Sequence, residues 1–95
     1  MTTFKVTNRV KRFPGKLGWH YIELDESLSE DLRPMLKEIW PALLKSEFRI
    51  NNTVWLSSVM PIQDGPLFIA LPAKIRKSEK IIEDQEVNVS FQLQV

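Results

Sequence analysis

Between Trp55 and Lys77 the chain runs Trp55-Leu-Ser-Ser-Val-Met-Pro61, then Asp64-Gly65, then Ala70-Leu-Pro-Ala-Lys-Ile-Arg-Lys77. Apolar residues and backbone breakers alternate so closely here that the stretch constrains the fold more than any other. It reads as a strand, a glycine turn, a second strand and a short basic helix. Leu67 to Leu71 is continuously apolar, the pattern of a strand covered on both faces. Pro72 is expected to open the helix, because the first helical position needs no N–H. The stretch contains no complete set of reacting groups.

The flanking segments extend the same plan. Phe4, Val6 and Val10 share one parity and Lys5, Thr7, Arg9 and Lys11 the other, which predicts a half-buried strand with a cationic outer face. Pro14-Gly15 suits a type II turn, and Trp19 to Leu24 is expected as the second strand. Leu28, Leu32, Met35, Leu36, Ile39, Trp40 and Leu43 recur at spacings of three and four, one face of a helix. Ser27 and Glu30 have capping-box spacing. Pro34 and Pro41 interrupt the pattern, so a broken helix is expected, with one turn at 27–32 and a second piece at 34–40. Asn51-Asn52 separates two strand-like runs as a two-residue hairpin would. Val87, Val89, Phe91, Leu93 and Val95 alternate with polar residues, so Val87, Val89, Phe91 and Leu93 of the last strand should point inward.

About six short strands with turns between them predict a mainly β fold. The architecture expected is a small closed or double-split β-barrel with short helices packed on it. Ninety-five residues make one domain, spanning residues 1–95. There is no cysteine and a single histidine, which excludes a disulfide framework and a thiolate metal centre. No metal and no cofactor is expected. No apolar run is long enough to cross a bilayer, and the first residues lack a signal core, so a cytoplasmic protein without a membrane partner is expected. The net charge is only +1, but residues 1–20 carry five cations and no acid. That asymmetry allows a basic patch.

The order of these motifs resembles the family of small β-barrels catalogued as domain of unknown function 1905, which occurs alone or joined to a bacteriocin-protection-type domain. The resemblance rests on Pro14-Gly15, on Gly18-Trp19-His20-Tyr21-Ile22, and on Trp55, Ser57, Ser58 and Pro61. It continues through Asp64-Gly65, the apolar strand Leu67–Leu71 and the pair Arg76-Lys77. It covers nearly the whole chain. One departure is Asp84-Gln85, where the family has Gly-Asp before its last strand; Asp can still adopt the left-handed turn. The resemblance implies a barrel and no established activity. It is also similar in architecture to double-split barrels that include dimeric DNA-binding, antitoxin-like domains.

No catalytic constellation emerges. Ser57 or Ser58 could be combined with His20 and Asp64, but no nucleophile elbow surrounds either serine. Asp25, Glu26, Glu30 and Asp31 lie around a helix start, where negative charge is stabilising in any case. Three glycines cannot build a phosphate-cradling loop. The aromatics Trp19, Tyr21, Trp40, Trp55 and Phe68 read first as core. The sharper alternative places Trp19, His20, Trp55, Arg76 and Lys77 around a ligand-binding surface, with aromatic walls and a cation for an anionic or carbonyl group. The expected function is therefore a non-enzymatic module that binds a small molecule or a protein partner, with homodimerisation left open. The alternative is a dimeric nucleic-acid-binding domain that uses the basic faces of Lys5, Arg9 and Lys11 and of the Lys74–Lys80 segment.

Overall fold

The computed structural model describes residues 3–14, 18–37, 44–61 and 65–94. The strands are β1 (Phe4–Arg9), β2 (Lys11–Arg12), β3 (His20–Glu23), β4 (Leu44–Ile50), β5 (Thr53–Pro61), β6 (Leu67–Ala70) and β7 (Glu86–Leu93). The helices are α1 (Glu26–Lys37) and α2 (Ala73–Glu79). Neither helix is long and apolar enough to cross a membrane.

The seven strands form one antiparallel sheet in the order β1-β7-β4-β5-β6-β3-β2. Its two edges belong to a single bent segment, and this closes the barrel. β1 pairs with β7, from Phe4 opposite Phe91 to Arg9 opposite Glu86. Two residues later β2 pairs with β3, Lys11 opposite Tyr21. The bend is at Val10, a buried residue whose N–H donates to the Gln85 carbonyl (2.9 Å) and whose carbonyl accepts from the Asp84 N–H (2.8 Å). Asp84 has φ 70°, so it adopts the left-handed turn expected at that departure from the family pattern. Asn8 Nδ2 donates to the Glu23 carbonyl at 3.0 Å and stitches the remaining gap between β1 and β3. The structure is a nearly closed mainly β barrel. The one strand expected over the first segment is present as β1 and β2, kinked at Val10.

Register explains the core. Phe4 faces Phe91, Phe91 faces Phe48, and Phe48 faces Trp55 across four neighbouring strands. Successive ring centroids lie 5.3, 5.5 and 5.5 Å apart, within the range of favourable aromatic contact. Val87, Val89 and Phe91 point inward as the alternation predicts, and Leu93 packs partly buried at the edge. β6 is covered on both sides. Leu67 and Ile69 face the core, and outside it Phe68 meets Phe13 and Tyr21 edge-on.

α1 corrects two expectations. It is one continuous helix through Pro34. The proline is exposed, so the carbonyl it leaves unpaired, that of Glu30, can be hydrated instead of orphaned in the core. The N-cap is Asp25 and not Ser27: its Oδ1 accepts from the Leu28 N–H at 2.7 Å. Leu32 and Leu36 bury the apolar face. Buried Ser29 accepts a hydrogen bond from the Leu67 N–H at 3.2 Å and docks α1 on the start of β6. The second helical piece expected at 34–40, Trp40, the Pro14-Gly15 turn and Asp64 lie wholly or partly outside the described residues.

The Asn51-Asn52 hairpin forms as expected, with Asn51 at φ 53° and Ile50 paired with Thr53. Pro72 is the N-cap of α2 and not its first helical residue. The helix closes on Lys80, in the left-handed region at φ 55°, with the Ile81 N–H returned to the Arg76 carbonyl at 2.8 Å. Buried Ile81 supplies the apolar contact of such a C-terminal motif.

Candidate functional site

Among the described strands the barrel wall is incomplete between β5, β6 and β3, and the sequence explains why. β5 pairs with β4 along Thr53–Val59, but with β6 only along Val59–Pro61. The last rung between β6 and β3 is the Leu71 N–H donating to the His20 carbonyl at 2.8 Å. The next residue is Pro72, which has no N–H to donate. The chain leaves the sheet there, and α2 packs against β5 where a strand would otherwise continue. Glu79 fastens the far end of α2 by accepting from Asn51 Nδ2 (2.7 Å) and from the Thr53 hydroxyl. These hydrogen bonds, that from Thr53 first, hold the Glu79 carboxyl below the usual glutamate value. A helix over a strand edge also blocks edge-to-edge pairing.

A pocket of about 530 Å³ opens where the strand is missing. The entry to β3 contributes Gly18, Trp19 and His20. β5 contributes Ser57, Ser58 and Met60. The end of β6 and the turn into α2 contribute Ala70, Leu71, Pro72 and Ala73, and α2 itself contributes Arg76. The lining is therefore mostly apolar with a few polar groups, the composition usual for small-molecule sites, and its size falls in their range.

Each polar group is placed by local structure. Arg76 Nε donates to the Leu71 carbonyl at 3.0 Å, and Leu71 is the residue whose N–H bonds His20. One residue, through its N–H and its carbonyl, thus ties the guanidinium to the start of β3. Among the described residues no carboxylate pairs with Arg76. His20 is half-buried, and its Nδ1 is buried with no hydrogen-bond partner among the described residues. Trp19 is 49% exposed. Gly18 before it has φ 53°, and a Cβ there would stand 2.5 Å from Arg12 Nη2. Only glycine takes that conformation freely and leaves room for the Arg12 guanidinium at the lip of the pocket.

Of the five residues singled out for a ligand surface, Trp19, His20 and Arg76 meet at this pocket. Trp55 and Lys77 do not line it. Trp55 has inward parity on β5 and closes the aromatic row of the core, and Lys77 is exposed on α2. The core reading of the tryptophans holds for Trp55 and fails for Trp19. Ser57, Ser58, Leu71 and Gly18 were not assigned to the surface. The end of β6 at Pro72 was the signal that a gap would open beside them.

A serine–histidine arrangement is not assembled. Ser57, Ser58 and His20 share the pocket, but no hydrogen bond among the described residues joins His20 to either serine. In the acidic cluster at the start of α1, Asp25 is the cap; nearby Glu23, at the end of β3, pairs with Lys11 and holds that ammonium above the usual lysine value. A hollow of about 620 Å³ beside it is lined by Glu23, Glu26, Glu30 and Arg33. It is larger but more polar, and suits hydration better than an apolar ligand. Among the described residues no three His, Cys, Asp or Glu side chains are placed to hold a metal ion. The cationic face of β1 and β2 is partly compensated. Lys11 pairs with Glu23, Arg9 donates to the Asp84 carbonyl at 2.8 Å, and Glu86 stands opposite Arg9.

Fold and site together define a small, nearly closed β-barrel domain with a notch in its wall. The chain belongs to the family described as Domain of unknown function (DUF1905), whose family model matches residues 7–91. No curated protein matches the chain.

Proposed function

We propose that this domain is a non-enzymatic small-molecule-binding module and that its ligand occupies the pocket between β3, β5 and α2. The observation that carries the reading is the state of Arg76. Its guanidinium is fixed by Leu71 at the rim of a mostly apolar pocket, with no carboxylate partner among the described residues. Apolar walls supply affinity, and a fixed cation orients a ligand that ends in an anionic or carbonyl group. The pairing of Lys11 with Glu23 and the tethering of Arg9 to the Asp84 carbonyl give the nucleic-acid alternative less support, because phosphate binding needs cations that are free to release counterions.

The test is a fragment screen by ligand-observed NMR on the wild-type chain and on Trp19→Ala. Trp19 is half exposed, so its loss should leave the fold intact. Hits are expected in the wild type and should be lost in the variant. Hits that bind both proteins equally would place the binding surface elsewhere. Submicromolar binding of duplex DNA that is steep in salt and abolished by Arg9→Ala with Lys11→Ala would replace this reading with the nucleic-acid one.

A further inference from the structure

We infer that the pocket selects a monocarboxylate carried on a flat apolar or aromatic body. This inference rests on the small-molecule reading above and narrows it to a chemical class.

The charge arithmetic is local. Arg76 is the only Lys or Arg among the described residues that line the pocket, none of those residues is acidic, and the exposed Arg12 guanidinium stands outside the lining, beside Gly18. A ligand with one negative charge neutralises Arg76. A dianion would leave a charge uncompensated against mostly apolar walls, which is costly. Donor geometry points the same way. Arg76 spends Nε on the Leu71 carbonyl, so the side-on approach that uses Nε is closed to a ligand. The two Nη groups remain, and two parallel N–H donors match the two oxygens of a carboxylate in an end-on bidentate pair. Ser57 and Ser58 also line the pocket, and since neighbouring strand residues face opposite sides, one serine hydroxyl can serve a secondary polar substituent without adding charge.

The apolar half of the ligand follows from the opposite wall. Trp19 presents a half-exposed indole at the entry, and the partly exposed Met60 and Ala70 supply an aliphatic floor. A flat body can lie against the indole while the aliphatic side chains cover its other side. Met60 is the adaptable member, because an unbranched thioether fits ligands of different outline.

The experiment compares three probes on one scaffold: 2-naphthoate, the neutral 2-naphthamide and the dianionic 2-naphthyl phosphate. Each is titrated into the ¹⁵N-labelled full chain, followed through the Trp19 indole and the Ala73 and Arg76 amides. Naphthoate is expected to bind at least about tenfold more tightly than naphthamide, the effect of one charge-assisted pair. In Arg76→Ala the two should bind equally. Arg76→Lys should recover little of the difference, because an ammonium cannot form the two-donor pair. The wild-type comparison needs no variant, so misfolding of a variant cannot hide the answer. Equal binding of naphthoate and naphthamide at this pocket would overturn the carboxylate inference and leave the pocket reading standing. Tighter binding of the phosphate would overturn it in favour of dianions. No perturbation of the pocket resonances by any probe would remove both readings.

Discussion

Across β1, β7, β4 and β5 one aromatic row crosses four strands, whereas across β5, β6 and β3 the ladder stops after a few rungs and a helix stands in for the missing strand. Both regions are made of short strands rich in apolar residues. They differ in where the chain can keep donating backbone hydrogen bonds. β7 has no breaker for eight residues. β6 meets Pro72 immediately after Leu71. The first region therefore spends its side chains on packing, and the second leaves Trp19, His20 and Arg76 partly uncovered around a hollow. On the proposed reading, stability and recognition are divided between the two sides of one small barrel.

The division can be broken by substitution. The largest effect should come from Phe91→Ala, at the centre of the aromatic row, which should cost about 3–5 kcal/mol in urea unfolding. A loss below about 1 kcal/mol would mean that the row is not the core. Gly18→Ala should cost about 1–2 kcal/mol, because alanine must adopt a left-handed backbone while Arg12 moves aside. An unchanged midpoint would mean that the lip of the pocket is not held in that conformation. Arg76→Ala removes one hydrogen bond, to the Leu71 carbonyl, from a half-buried side chain. A loss of about 1 kcal/mol or less is expected, and unfolding of the domain would make Arg76 structural.

The smallest effect depends on pH. Hydrogen bonds from Thr53 and Asn51 lower the Glu79 carboxyl in the folded state. A depressed carboxylate contributes stability above its unfolded value, about 4.3, and loses that contribution as pH falls through the folded value. The difference in stability between wild type and Glu79→Ala should therefore shrink in acid. A difference that stays constant from pH 7 to pH 3 would show that the carboxylate charge plays no part in fastening α2 to the hairpin.

Much of the fold was legible because parity is a strong signal. The alternation of β7, the covering of β6 on both faces and the Asn51-Asn52 hairpin all follow from residue order. The path of α1 through Pro34 was not legible, because the cost of a proline depends on whether the carbonyl it orphans reaches water, and that depends on which face is exposed. The cap was misplaced for a related reason: Asp25 and Ser27 both have capping side chains, and only the entry path from β3 selects between them. At the site, Trp19, His20 and Arg76 could be grouped because they lie next to strand ends. Trp55 could not be separated from them without the β4–β5 register, which places it opposite Phe48 and so inside the barrel. Lys77 could not be separated from Arg76 without the helix phase.

The central claim is that recognition belongs to the notch and not to the closed wall. The most direct measurement is a ¹H–¹⁵N correlation map of the labelled chain during titration with the tightest fragment found. The account predicts shifts confined to Gly18–His20, Ser57–Met60 and Ala70–Arg76, with β1 and β7 unmoved. Shifts centred on the outer face of β1, at Lys5, Thr7 and Arg9, with the notch silent, would contradict it.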